Sequence, residues 1–106
     1  MTIRTLTPGD LLAEGFHAQL NRDALAHAPI IYLVRNEGHA NGVPLPMAFA
    51  NPCLVDLAPA FRLRGARVVE AALEATLARA KQCCAEGHGP FFIECLVGDA
   101  PQKDVP

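Results

Sequence analysis

Apolar and polar positions follow one another in blocks along this chain, and the blocks predict strands that alternate with helices. Residues 2–6 form a short β-branched stretch that ends at Thr7-Pro8-Gly9, which is typical of a strand running into a turn. Residues 30–34 are a continuous apolar run, which is typical of a strand buried on both faces of a parallel sheet. Residues 66–69 and 91–97 predict two more strands.

Three helices are predicted between these strands. Apolar residues recur every four positions at Leu12, Phe16 and Leu20, which predicts a first helix with Asp10 as its N-cap and Gly15 packed inside it. Asn51-Pro52 predicts the start of a second helix, and residues 70–86 are the clearest helical segment. The order β-α-β-α-β-α-β predicts an α/β fold: a mainly parallel sheet with helices packed across it.

Length and composition fit one domain. The chain has 106 residues, of which 51% are hydrophobic and 19% are charged, so we expect a folded domain over residues 1–98 and a polar tail over residues 99–106. The net charge of −2 without a basic block argues against nucleic acid as a main partner. The apolar runs are far shorter than the roughly 20 residues of a membrane span, and no apolar signal core follows Met1, so we expect no membrane and a cytoplasmic location.

The four cysteines predict free thiols rather than a zinc site or a disulfide. None of them forms a Cys-x-x-Cys pair. Cys83 and Cys84 are adjacent in a predicted helix, where their side chains would point about 100° apart.

Two polar clusters fall where strands end, which is where open α/β sheets bind ligands. Asp10 follows the first strand at a predicted helix start, and Asn36 and Gly38 follow the second strand. Their carboxylate, amide and carbonyl oxygens are ligands that suit Mg²⁺, and a helix N-terminus suits a diphosphate. The same residues also have an ordinary interpretation, in which Asp10 only caps a helix and residues 36–38 only form a turn.

Several stretches of the chain, in the same order, resemble the alpha subunit of thiamine-diphosphate-dependent 2-oxoacid dehydrogenases of the pyruvate, branched-chain and acetoin type. The similar segments are residues 9–21, 28–40, 51–61, 65–68 and 87–94. Among the matching residues are Gly9-Asp10, Glu14-Gly15, Phe16-His17, Asn36, Asn51-Pro52 and Gly89-Pro90. The shared order over most of the chain is more specific than any single piece.

This resemblance implies a fold, a cofactor and a reaction. It implies a thiamine-diphosphate-binding fold in which Asp10, Asn36 and the Gly38 carbonyl bind Mg²⁺, while the backbone of Leu11 and Leu12 contacts the diphosphate of the cofactor. The implied reaction is oxidative decarboxylation of a 2-oxoacid with acyl transfer to a lipoyl carrier, in a homo-oligomer or together with a beta-type subunit. The resemblance assigns no catalytic residue to this chain.

The chain also departs from the family pattern. Leu11 stands where the family has glycine, Glu37 replaces a second asparagine, and the segment around Gly15 is shorter. The family's catalytic histidine loop has no counterpart after Val97, so we expect an incomplete domain that is not active alone. Two alternatives stay open: an interaction domain that kept the fold but lost the cofactor, and an unrelated nucleotide-binding α/β domain.

Overall fold

The computed structural model describes residues 1–98 and is built on one parallel sheet. The first two strands are β1 (Thr2–Leu6) and β2 (Ile30–Asn36), and a small antiparallel hairpin follows as β3 (His39–Ala40) and β4 (Val43–Pro44). The sheet is completed by β5 (Arg64–Val69) and β6 (Phe91–Leu96), and its strand order is β1-β2-β6-β5. These four parallel strands confirm the predicted α/β class.

The two inner strands are buried on both faces. In β2, Ile31, Tyr32 and Val34 have no exposed surface, and every residue of β6 is buried. The register places Ile31 beside Phe91 and Val34 beside Glu94, so the apolar runs of the two strands lie side by side. This burial on both faces is what the uninterrupted apolar run in the sequence predicts.

Helices cover both faces of the sheet. They are α1 (Phe16–Leu25), α2 (Leu45–Ala48), α3 (Leu57–Ala60) and α4 (Leu73–Ala85), with 3₁₀ turns at Pro8–Leu12, Leu54–Asp56 and Glu70–Ala72. One core cluster joins α1 and α3 to Tyr32 and Phe92, and the other joins α4 to Ile31 and Ile93. The arrangement is therefore three layers, with the sheet in the middle.

The predicted start of the first helix is wrong. The chain first makes the 3₁₀ turn Pro8–Leu12, and α1 begins only at Phe16. Gly15 is the residue before α1 and has a φ of 87°, with no atom close to where a side chain would stand, so it provides a left-handed backbone rather than close packing. Asp10 is therefore not an α-helix N-cap, and Leu11 and Leu12 do not lie in the first turn of an α-helix.

The second helix also begins later than predicted. Its α-helical part is the single turn α3, preceded by the 3₁₀ turn Leu54–Asp56. Asn51 instead accepts a hydrogen bond from the Cys53 N–H at 3.0 Å, which forms a local turn that competes with helix. The strands and α4 lie where the sequence predicts them, give or take two or three residues at the ends.

The four cysteines, all within residues 1–98, are free thiols, as predicted. In that same span, no helix has both the length and the apolar character that a membrane crossing requires. The predicted polar tail, residues 99–106, lies outside the described residues.

Candidate functional site

A cleft lies at the carboxyl ends of β1 and β2, where the sequence predicts a ligand site. Because these strands are parallel neighbours, the turn after β1 and the hairpin after β2 meet at one edge of the sheet. The cleft between them has a volume of about 240 Å³. Its walls are Thr7, Pro8, Gly9, Arg35, Glu37, His39, Asn41 and Gly42. Gly9 lies so close to the hairpin that a side chain at this position would require the Asn41 side chain to move.

Asp10 lies beside this cleft but does not line it. Its side chain is exposed, and one carboxylate oxygen accepts a hydrogen bond from the Thr7 N–H at 2.8 Å. Asp10 instead lines a cavity of about 480 Å³ together with Arg4 and Glu14. The carboxylate thus holds the turn that ends β1.

The two leucines after Asp10 differ in burial. Leu11 is 2% exposed and belongs to the hydrophobic core, whereas Leu12 is half exposed. Both line an apolar cavity of about 280 Å³ with Phe49 and Cys53. A buried Leu11 side chain anchors this segment of backbone in the core.

Asn36 points into the protein and not into the cleft. It is 1% exposed, and its amide nitrogen donates a hydrogen bond to Glu94 at 2.8 Å. Its amide oxygen accepts the Gly38 N–H, also at 2.8 Å, while the Gly38 carbonyl accepts the Leu45 N–H at 3.1 Å. Both ends of the Asn36 amide are therefore engaged inside the fold.

Glu94 is the centre of this buried network, and the sequence alone assigns it no role. Its other carboxylate oxygen accepts the Val55 N–H at 2.9 Å and lies 3.3 Å from Nε of Arg67. The Arg67 contact is an ion pair without the alignment of a hydrogen bond, since Nε has no hydrogen-bond partner. An acidic residue in an otherwise apolar strand indicates a buried carboxylate in the sequence alone. Its partner Arg67 can be named only once the pairing of β5 with β6 is known.

The proposed magnesium ligands do not fit a bound metal–diphosphate group as they are arranged. The Asp10 carboxylate, the Asn36 amide oxygen and the Gly38 carbonyl each already accept a hydrogen bond from a backbone N–H. In addition, Asn36 is closed off from solvent, whereas Asp10 is exposed. Within residues 1–98, no group of three or more His, Cys, Asp or Glu side chains is placed to hold a metal ion. A metal here would need the Asn36 amide to leave Glu94 or Gly38.

Three of the four thiols are poor nucleophiles. Burial raises the pKa of Cys53 above its ordinary value of 9.0, and the nearby Glu94 carboxylate raises it further, against the opposing effect of Arg67. Burial is also the main cause that raises the pKa of Cys84 and Cys95. These thiols are therefore protonated at neutral pH, and the thiolate is the form that attacks.

Comparisons with known proteins agree with the resemblance read from the sequence. Residues 12–97 match the family described as the dehydrogenase E1 component. The chain is 31% identical over 88 residues to the alpha subunit of acetoin:2,6-dichlorophenolindophenol oxidoreductase from Bacillus subtilis (strain 168). That match covers 76% of this chain but 25% of the relative, so the chain spans about a quarter of the relative's length.

Proposed function

Because this chain belongs to the dehydrogenase E1 component family, we propose that it acts as an alpha-subunit-like region of an oxidoreductase and works within a larger assembly. We further propose that it contributes structure to that assembly and does not hold the magnesium itself. The observation that carries this proposal is the buried network in which Asn36 is bonded to Glu94 and to Gly38.

The network opposes metal binding on energetic grounds. If Asn36 turned towards a metal, Glu94 would lose one of its hydrogen bonds in a place closed off from solvent. Leaving a buried polar group unsatisfied costs about 1–3 kcal/mol, and more for a charged group. The proposed site would therefore have to form against the stability of the core.

Leu11 supports the same conclusion. The backbone at this position can approach a ligand only if the leucine side chain leaves the core or the turn is rebuilt. Removing such a side chain from the core costs roughly 1.5–3 kcal/mol. Since α1 begins at Phe16, residues 11 and 12 also lack the aligned N–H groups of an α-helix N-terminus.

The proposed partners are a second copy of this chain or a beta-type subunit, and the proposed location is the cytoplasm. The relative is an alpha subunit by name, which supports assembly with other chains. The decarboxylation of a 2-oxoacid would then belong to the assembly, with this chain as one of its parts.

A second candidate function is a half-site for thiamine diphosphate and Mg²⁺. The cleft at the carboxyl ends of β1 and β2 favours it, because this edge is where α/β sheets bind ligands. In that case Asp10, Asn36 and Gly38 would hold the metal, and the backbone of Leu11 and Leu12 would contact the diphosphate. The arrangement described above would have to open first.

Calorimetric titration of thiamine diphosphate, with and without Mg²⁺, separates the two candidates. We expect no saturable, metal-dependent heat up to about 10 mM ligand, a range in which even a weak millimolar site would be detected. The folded state of the sample is checked by circular dichroism. Saturable binding that needs Mg²⁺, disappears in Asp10→Ala and survives in the neighbouring control Glu14→Ala would overturn the structural role and establish the half-site.

A further inference from the structure

A larger cavity lies at the opposite end of the strands, where β2, β5 and β6 begin. Its volume is about 600 Å³, within the roughly 300–1,000 Å³ of small-molecule sites. Arg64 opens β5, His27 and Arg62 lie in the loops before β2 and β5, and His88 follows α4. Four basic side chains from distant parts of the sequence therefore meet at one cavity, far from the cleft at the carboxyl edge.

The cavity has no internal counter-charge. None of its lining residues is acidic. Among residues 1–98, the ion pairs are made by Arg35 and Arg67, and neither Arg62 nor Arg64 takes part in one. The two arginines give the lining two positive charges, because arginine stays protonated.

Backbone strain is concentrated at the same place. His27 has a φ of 50° and Arg62 a φ of 59°, and they are two of the three non-glycine residues with positive φ in the described chain. Hydrogen bonds around them hold these conformations: the Ala28 N–H donates to the Asp23 carbonyl, and the Leu63 N–H donates to the Ala58 carbonyl. These are the bonds of Schellman caps, in which a left-handed residue ends a helix, so His27 and Arg62 are held in place at the ends of α1 and α3.

One wall of the cavity is apolar. Leu25, Phe61 and Leu63 line it, and Leu25 is 75% exposed, which is unusual for a leucine that serves only the core. The lining therefore offers positive charge on one side and an apolar surface on the other.

We propose that this cavity binds a small molecule that carries a phosphate or carboxylate group on an apolar body. The oxyanion lies between the guanidinium groups of Arg62 and Arg64, whose planar donors match oxyanion geometry. The apolar body packs against Phe61 and Leu25. This site goes beyond the proposed assembly role and does not depend on it.

Titration calorimetry with four simple probes tests the chemistry of the site. We expect phenyl phosphate to saturate the cavity with a Kd below about 1 mM, and inorganic phosphate to bind more weakly because it lacks the apolar body. Benzoate reports whether a carboxylate replaces the phosphate, and tighter binding of benzoate assigns the carboxylate source. Phenol carries no charge, so phenol binding as tightly as phenyl phosphate would overturn the proposal, as would the absence of binding by both phenyl phosphate and benzoate.

Variants locate the site. Arg64→Gln and Arg62→Gln should each weaken phenyl phosphate binding at least about tenfold, the effect of losing a charge-assisted hydrogen bond. Arg79→Gln is the matched control, because Arg79 is exposed on α4 and does not line the cavity. Unchanged affinity in both cavity variants would place the binding elsewhere and overturn the proposal.

Arg62→Gly separates function from folding. Glycine adopts the positive φ without a side-chain penalty, so this variant should melt at a higher temperature while it loses phenyl phosphate affinity. A variant that is more stable but binds as well as the original chain would contradict a role for the Arg62 side chain.

Discussion

Glu94 is an acidic residue with no exposed surface, and it connects three strands or loops that are far apart in the sequence. From the centre of β6 its carboxylate reaches Asn36 on β2, the backbone of Val55 and the side chain of Arg67 on β5. A buried charge is tolerated only when it is paired and hydrogen-bonded. Each Glu94 oxygen accepts a hydrogen bond, and one of the two is also paired with Arg67. The same bonds explain why Asn36 is turned inward.

Glu94→Gln should lower the free energy of unfolding by about 3 kcal/mol, since breaking a buried ion pair from one side leaves the other charge uncompensated. The new amide would also present its NH₂ to a group that already donates. Urea unfolding measures the effect. The control is Glu74→Gln on the exposed surface of α4, which we expect to change the free energy by less than about 0.5 kcal/mol. Equal effects of the two substitutions would contradict the central role of Glu94.

At the scale of elements, the short helix α3 and the turn before it lie directly against β5. Gly65 makes this contact possible, because a Cβ there would stand 2.9 Å from the Ala58 Cβ and 3.0 Å from the Val55 Cγ2. Both neighbours belong to the segment that also binds Glu94 through the Val55 N–H. A small residue at Gly65 therefore keeps that segment at the right distance from the sheet.

Gly65→Ala should lower the free energy of unfolding by about 1–3 kcal/mol, because extra atoms in a packed contact force the helix away from the strand. The comparison is Gly9→Ala, where the added methyl group meets only the side chain of Asn41, which can rotate away. We expect that variant to stay within about 0.5 kcal/mol of the original chain. Thermal and urea unfolding of the two variants measure the difference, and a larger loss in Gly9→Ala would contradict the packing argument.

The sequence predicts some elements well and others poorly, and the reasons are physical. The apolar run in β2 and the helical stripe in α4 are local signals strong enough to fix the element. The apolar spacing of Leu12, Phe16 and Leu20 predicted the wrong helix start. Leu12 lies in a 3₁₀ turn and is half exposed, and Leu11 is the leucine that is buried in the core. Nothing local reveals that Gly15 adopts a left-handed conformation and delays α1 to Phe16.

At the candidate site, too, some features can be predicted from local sequence patterns and others cannot. That polar residues gather at the carboxyl ends of β1 and β2 follows from the order of the elements. That Asn36 faces inward follows only once β2 is known to run on to Asn36, because alternate residues of a strand share a face with Tyr32 and Val34. The pairing of Glu94 with Arg67 and the cavity around Arg62 and Arg64 depend on strand order, which local patterns do not determine.

For the whole molecule, the sheet has two outer strands of different character. The outer strand β5 carries Arg64 and Arg67, and charges of this kind discourage pairing with another sheet. The outer strand β1 exposes Ile3, while its Arg4 lies over the ring of Tyr32 at 5.6 Å. The β1 edge is therefore the better place for a second chain.

We expect the purified chain to show a mass above 11.3 kDa, increasing with concentration, in light scattering after size exclusion. Ile3→Lys should shift the equilibrium towards the monomer, because a charge on an outer strand opposes edge-to-edge pairing. Leu25→Lys, an exposed apolar residue away from the sheet edge, is the control. A monomer at every concentration would exclude self-association and leave a beta-type subunit as the partner.

The strand order has a consequence for the time at which the chain can fold. The last strand of the sheet in the sequence, β6, lies between β2 and β5. The pair β1–β2 and the strand β5 therefore cannot be joined into one sheet until Phe91–Leu96 has been synthesised. A nascent chain on the ribosome therefore carries two incomplete pieces, with the apolar side of β2 open along its length. Folding waits for insertion of the last strand, and until then the exposed apolar side of β2 makes the growing chain prone to aggregation.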